Sequence, residues 1–357
     1  MLSELSYLYG KPESTGLLRS EMSDFKVFEV LPYQPNGEGE HLYIYIRKTG
    51  ANTVFVAREL AKYFNIKEGL VSYAGLKDRY AVTEQWFGVH VPGKAVFDLS
   101  DLSIEGVEVL SYKRHNKKLR TGALSGNNFE LTLKNVTNIV TLEKRWQEIV
   151  SEGVPNYFGE QRFGIDGGNI ERSIALFSGT KIKDKKKRGI YLSAARSYLY
   201  NQVIHSRIQL GVFNKPSKGD VMMLAGTQSV FLVDELDAKI KQRFVEKDID
   251  ITAPMWGAGE LMTTDDPKAL ESKIANENSE IAIGLPRFGL KQERRKIRLN
   301  ISNPSIEILH ESNSISADTP SSVKIKFFLP AGCYATTVLR ELIQYTDCTQ
   351  RAVTKVK

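Results

Sequence analysis

The sequence predicts an α+β protein in which one strand-rich domain is interrupted by a more helical insert. Three observations lead there: short alternating apolar runs fill the first third, helical apolar stripes fill the middle, and the alternating style returns near the end. At 357 residues the chain is long enough for two or three domains. With 41% hydrophobic and 25% charged residues it is globular in composition.

Phe25 and Val27, then Leu42, Ile44 and Ile46, read as strands with one buried face. Asn52 or Thr53 caps a helix carrying Val56, Leu60, Ala61 and Phe64 at helical spacing. Val71 to Ala74, Gln85 to Val91, Val107 to Tyr112 and Phe129 to Leu133 read as further strands. In the middle, Leu192, Ala195, Leu199, Val203 and Leu210 form one stripe, and Asp234 to Lys247 and Pro267 to Ile281 read as charged amphipathic helices. Val323, Ile325, Phe327 and Leu329 then alternate with Lys324 and Lys326, and a helix is expected over Ala335 to Tyr345. The Ser/Asn-rich stretch Ser302 to Ser322 is the candidate connection back to the first domain.

Composition also excludes classes. A membrane span needs roughly 20 apolar residues, whereas the longest charge-free stretches, Val221 to Val233 and Phe327 to Leu339, have 13. No signal peptide is visible at the N-terminus, and Cys333 and Cys348 are too few for a disulfide framework, so a reducing cytoplasm is expected. Neither GxxxxGKS/T nor a strand-linked GxGxxG occurs, GxSxG is missing, and five scattered histidines (His41, His90, His115, His205, His310) suggest no metal site. Carboxylates, amines and rings must carry any chemistry.

The net charge of +7 is unevenly placed. Windows Lys113 to Arg120, Lys181 to Arg188 and Lys291 to Arg298 hold 5, 6 and 5 Lys or Arg, and the remainder carries 33 basic against 40 acidic residues. Cationic clusters on an acidic background suit a polyanion such as nucleic acid, because each neutralised phosphate releases a counterion; three solvated loops are the plainer reading.

The densest polar constellation is Ala74-Gly-Leu-Lys-Asp-Arg79, between two expected strands. Asp78, flanked by Lys77 and Arg79, could be held ionised there and act as a base or covalent nucleophile; on local chemistry alone, a turn aspartate bonding its own backbone is the commoner case. In TGALSGNNF, Asn127 offers amide hydrogen bonds and Phe129 a ring beside a basic run, a combination that holds unstacked bases, although a strand-end Phe is usually core. Asn156 to Gly164 is dense in rings and glycine, as an RNA contact or as a packed domain junction.

Together these segments resemble the TruD family of pseudouridine synthases, enzymes that isomerise uridine 13 of tRNA. The resemblance runs nearly end to end through GKPESTGLLR, EMSDFKVFEV, GEGEHLYIYIRKTGANTVFVARELAKYF, AGLKDRYAVTEQW, RHNKKLRTGALSGNNFEL, GVPNYFGEQRFGIDGGN, LSAARSYLYNQVI and LPAGCYATTVLREL. It implies a mixed or antiparallel-sheet catalytic domain, residues 1–152 and 306–357, around an inserted α+β TRUD domain, residues 153–305. It implies Asp78 as the catalytic aspartate, acting without cofactor or metal on a flipped-out uridine in the D-arm region of tRNA. Phe129 is then the ring that stacks on the base and Asn127 its polar contact. Phe25, Tyr334 and Lys77 are further substrate contacts, and Arg19 stands where the family carries a Lys that pairs with the carboxylate. The basic windows become tracks for the tRNA backbone. Neither a membrane nor an obligate protein partner is implied. A non-catalytic RNA-binding protein on the same scaffold, or a synthase with another RNA target, are the competing readings.

Overall fold

The computed structural model describes residues 5–93, 95–309 and 321–349. The described residues fall into two compact units. A sheet unit takes in Pro12–Val150, Ile301–Ala335 and Leu342–Lys357, and a helical unit takes in Met1–Lys11, Ser151–Asn300 and Thr336–Glu341.

The sheet unit begins with β1 (Thr15–Leu18), β2 (Phe25–Val30) and β3 (His41–Thr49). Helix α1 (Thr53–Tyr63) follows, and Asn52 is its cap, accepting a hydrogen bond from the Phe55 N–H. Then come β4 (Val71–Tyr73), β5 (Val82–His90), β6 (Val107–His115), β7 (Gly126–Val136) and α2 (Ile139–Glu152). The stripe Leu142, Trp146 and Ile149 that buries α2 was present in the sequence but not read as a helix. Ile44, Ile46, Phe87 and Val89 of the sheet pack on Val56 and Leu60 of α1. Each such fully buried side chain contributes roughly 1.5–3 kcal/mol.

The helical unit holds β8 (Val154–Pro155), α3 (Gly168–Phe177) and α4 (Lys185–Gln209), followed by β9 (Val221–Leu224), β10 (Val230–Leu232), α5 (Ala238–Val245), β11 (Ile249–Met255), α6 (Asp265–Glu277), α7 (Ser279–Arg287), β12 (Glu293–Lys296) and β13 (Arg298–Leu299). Its four-stranded antiparallel sheet runs β10-β9-β11-β12. Helix α4 starts earlier than its apolar stripe, because the Asp184 carboxylate accepts from the Lys186 and Lys187 N–H groups. The expected helix over Asp234 to Lys247 shortens to α5, with Asp237 as cap. Pro267 to Ile281 is two helices, broken where Asn278 leaves helical geometry at φ −123, ψ 43.

The chain then returns with β14 (Ser302–Leu309), β15 (Ser321–Pro330), α8 (Ala335–Leu342) and β16 (Gln344–Asp347). The main sheet has the order β14-β15-β7-β2-β5-β3-β6 among the described residues, with β4 beside β5 and β1 pairing both β7 and β16. Pairing is antiparallel except at β2–β5 and β1–β16, which makes the sheet mixed. Ser302 to Leu309 is thus a strand in hairpin with β15 and not a connection; the middle of that Ser/Asn-rich stretch, with His310, lies outside the described residues. The expected helix to Tyr345 stops at Leu342, because Gln344 to Asp347 pair with β1.

The unit edges differ from residues 1–152, 153–305 and 306–357. Ser302 to Ser305 belong to the sheet through β14. The N-terminal residues group with the body of α8: the Leu8 N–H donates to Glu341 Oε2 at 3.0 Å, and the Arg340 guanidinium lies 3.6 Å over the Tyr7 ring.

Candidate active site

The loop between β4 and β5 carries Asp78 and is held at several points. The Gly122 N–H donates to the Ala74 carbonyl at 2.7 Å, Gln85 Nε2 to that of Gly75 at 3.2 Å, and the Lys77 N–H to Thr53 Oγ1 at 3.0 Å. Thr53 Oγ1 in turn donates to Gln85 Oε1 at 2.9 Å. Below them, the Lys48 ammonium donates to the carbonyls of Ala51 and Asp78, both at 2.8 Å. Lys48 is fully buried, and burial pushes its pKa down to about 8, opposed by the Asp78 charge and reinforced by that of Lys77. The loop is therefore rigidly tied while the Asp78 side chain stays 39% exposed.

The cations adjacent in sequence do not pair with Asp78. Arg79 donates to the Gly50 carbonyl at 3.0 Å. The Lys77 side chain is buried, its Nζ 2.5 Å from Asn127 Oδ1 and 3.1 Å from Glu29 Oε2. Among the described residues the ion-pair partner of Asp78 is Arg19, Nη1 to Oδ2 at 3.7 Å. Arg19 holds Asp347 more closely, at 2.5 Å, and its guanidinium lies 4.9 Å over the Phe25 ring. Its backbone is left-handed at φ 58, an uncommon conformation for a non-glycine residue.

The sheet register assembles the rings. Val27 and Phe327 both face Phe129 across β7, and Glu29 and Leu329 face Asn127. Phe129 meets Phe25 edge-on at 6.4 Å and stacks on Phe327 at 5.5 Å, and Trp146 of α2 backs Phe327. Asp78, Arg19, Phe25 and Phe129 are thus a continuous chain of contacts. Phe129 is only 8% exposed, so it serves the core as well as the site. Gly126, beside Asn127, is a close approach: a Cβ there would lie 2.1 Å from the Leu329 carbonyl oxygen. Tyr334 is half-buried in the turn before α8.

Glu29, Lys48, Phe327 and Asp347 were not anticipated as site residues. Two of them had a signal. Glu29 continues the buried phase of Phe25 and Val27, and Lys48 that of Ile44 and Ile46, so each is a charge at a core-facing strand position.

The basic windows diverge. Lys185, Lys186 and Lys187 are exposed on the first turn of α4. Lys113, Lys117 and Lys118 are exposed as well. The third window is largely internal to the helical unit: Arg294 is buried on Glu271, Arg298 is buried against Asp250, and Arg295 lies 4.4 Å over Phe158. Of its five cations Lys291 alone is exposed. Asn156 to Gly164 is likewise mostly core, with Tyr157, Phe158 and Phe163 buried.

Residues 2–174 and 178–342 match the family model described as tRNA pseudouridine synthase D (TruD). The chain belongs to this family. It is 68% identical over 351 residues to tRNA pseudouridine synthase D of Colwellia psychrerythraea, covering 98% of this chain and 96% of that protein. It is 45% identical to the Shewanella oneidensis protein of the same name, covering 97% and 90%. Among solved structures, a protein assigned as tRNA pseudouridine synthase D (TruD) from Methanosarcina mazei superposes with a TM-score of 0.73 at 22% identity, covering 97% of each chain, which shows a shared fold. The TruD match ends at Leu342, so Asp347 lies beyond it.

Proposed function

We propose that this chain isomerises uridine to pseudouridine in tRNA, at position 13, with Asp78 as the catalytic carboxylate. The reaction breaks the N1 to C1′ bond, turns the uracil within the site and joins C5 to C1′; C5 loses its proton and N1 gains one, so atoms balance without a cofactor. Family membership supports the reaction class. The observation that carries the residue assignment is Asp78 itself, an accessible carboxylate on a tied loop, 3.7 Å from a buried guanidinium. A carboxylate that attacks C1′, adds to the ring or removes the C2′ proton needs that same ionised, reachable oxygen.

Arg19 balances its charge, Phe129 and Phe25 receive the extruded base, Asn127 reads its edge, and Tyr334 supplies a further wall. The sheet unit acts as the catalytic domain and the helical unit as the insert, with exposed lysines at 113–118 and 185–187 positioning the tRNA backbone. A tRNA substrate supports a cytoplasmic location.

The test is chemical, since the product has the mass of the substrate. Unmodified tRNA is incubated with purified protein, treated with a carbodiimide that marks pseudouridine, and reverse transcribed. A stop at position 13 is expected with the parent and none with Asp78→Ala, whose tRNA affinity should stay within several-fold. No stop on any tRNA tested would refute the proposal, and a stop elsewhere would reassign the target.

A further inference from the structure

We infer that Lys77 and Glu29 are positioning residues that hold the Asn127 carboxamide with its N–H groups toward the substrate, so that Asn127 reads a uracil carbonyl and not the N3–H. This rests on the reading that a uracil occupies the site.

The direction follows from what lysine is. An ammonium has three donors and no acceptor. Lys77 Nζ sits 2.5 Å from the Asn127 amide, so the amide atom facing it must be the oxygen. Asn127 is half-buried, and among the described residues its Nδ2 meets no acceptor. The carboxamide, ordinarily able to turn and present either end, is held with its oxygen on Lys77 and its two Nδ2 donors directed away from that ammonium. Uracil carries acceptors at O2 and O4 and one donor at N3, so an amide held with its oxygen on Lys77 and its Nδ2 donors toward the base meets a carbonyl.

Lys77 is itself held. Its side chain is 7% exposed and that of Glu29 is wholly buried, with Nζ 3.1 Å from Glu29 Oε2. This is a charge pair without hydrogen-bond alignment, since Glu29 Oε2 has no hydrogen-bond donor among the described residues. The other carboxylate oxygen, Oε1, accepts from the Trp86 N–H at 3.1 Å, and the β2–β7 register sets Glu29 opposite Asn127. The Trp86 backbone therefore fixes Glu29, Glu29 fixes Lys77, and Lys77 fixes Asn127. A buried ion pair is a poor way to gain stability over apolar packing. A requirement to orient one amide accounts for it better.

The experiment uses the full chain and tRNA carrying C5-tritiated uridine, 2-thiouridine or 4-thiouridine at the target position, with tritium release as the rate. Sulfur is a weak acceptor, so in the parent one of the two thio substitutions should lower kcat/KM about tenfold, the worth of a single hydrogen bond. Lys77→Met should shrink that ratio to within about threefold, because the released amide turns. The double variant Glu29→Gln/Lys77→Met, which leaves no buried charge unpaired, should do the same with its thermal melt and tRNA affinity retained. Asn127→Asp keeps its contact to Lys77 but offers only acceptors, and should lose as much rate as Asn127→Ala. An undiminished thio ratio in the folded double variant, no thio penalty in the parent, or a near-parental rate for Asn127→Asp would each overturn the inference while uridine conversion stands. Failure of the parent to convert uridine itself would instead remove the underlying reading, and this inference with it.

Discussion

The buried ammonium of Lys48 donates a 2.8 Å hydrogen bond to the backbone carbonyl of Asp78, so the residue that presents the carboxylate is held from beneath by a charge in the sheet. The same ammonium donates to Ala51, just ahead of the Asn52 cap of α1. One side chain therefore fixes the Asp78 loop relative to the strand and to the start of the helix that packs on it.

Lys48→Met keeps the length and removes the donors. Misplacing a reacting group by about 1 Å costs up to roughly a hundredfold in rate, so kcat should fall by roughly ten- to a hundredfold with KM nearly unchanged. Single-turnover rates at saturating tRNA measure this. A loss confined to KM would show that Lys48 does not act through Asp78.

The depressed pKa of Lys48 also makes a stability prediction. Its folded value, about 8, lies below the 10.5 of an ordinary lysine. Between these two pH values the unfolded chain binds the extra proton, so stability rises with pH through that window and carries the full penalty of a buried charge below it. The difference in unfolding free energy between parent and Lys48→Met, from urea melts, should move in the parent's favour by about 3 kcal/mol from pH 8 to pH 10.5. A difference flat in pH would sink this account, since other titrating groups are common to both proteins.

Much of the sheet was legible from periodicity: Phe25 and Val27, Leu42 to Ile46 and Val323 to Leu329 all lie in strands with the expected faces buried. The candidate site was legible chiefly through resemblance, because Asp78, Asn127 and Phe129 come together only by the pairing of β2, β7 and β5. What escaped was long-range. Glu29 and Lys48 break their strands' apolar rhythm, but nothing local says that Lys77 answers one and the Asp78 carbonyl the other. His41, His90 and His115, distant in sequence, lie side by side across β5, β3 and β6. Asp347 was hidden because Tyr345 was read as helical.

Arg19 divides its charge between Asp347, at 2.5 Å, and Asp78, at 3.7 Å. On the proposed role of Asp78, Asp347 anchors the guanidinium that Asp78 uses, so the two variants should not be additive. Arg19→Ala should lower kcat by roughly ten- to a hundredfold, Asp347→Asn by a few-fold, and the double variant no more than Arg19→Ala alone. Additive losses in kcat would separate Asp347 from the site.

Two windows of similar cationic density should behave in opposite ways. Lys185, Lys186 and Lys187 are exposed at the N-terminal turn of α4, where the helix dipole disfavours cations. Their presence there calls for a partner outside the helix, and phosphate supplies one. Neutralising all three to Gln should weaken tRNA binding and reduce the slope of log affinity against log salt by as much as about 3, with stability within about 0.5 kcal/mol. Arg294 lies in a window of similar composition, yet its guanidinium is buried, bonded to both Glu271 oxygens and to Thr252. Arg294→Gln strands the Glu271 carboxylate in the core and should cost roughly 3–5 kcal/mol of stability, while the salt slope of whatever remains folded is unchanged. Salt titrations and urea melts on the two variants separate them; a flattened slope for Arg294→Gln, or an unaltered one for the lysine variant, would mean that burial does not decide which clusters meet the RNA.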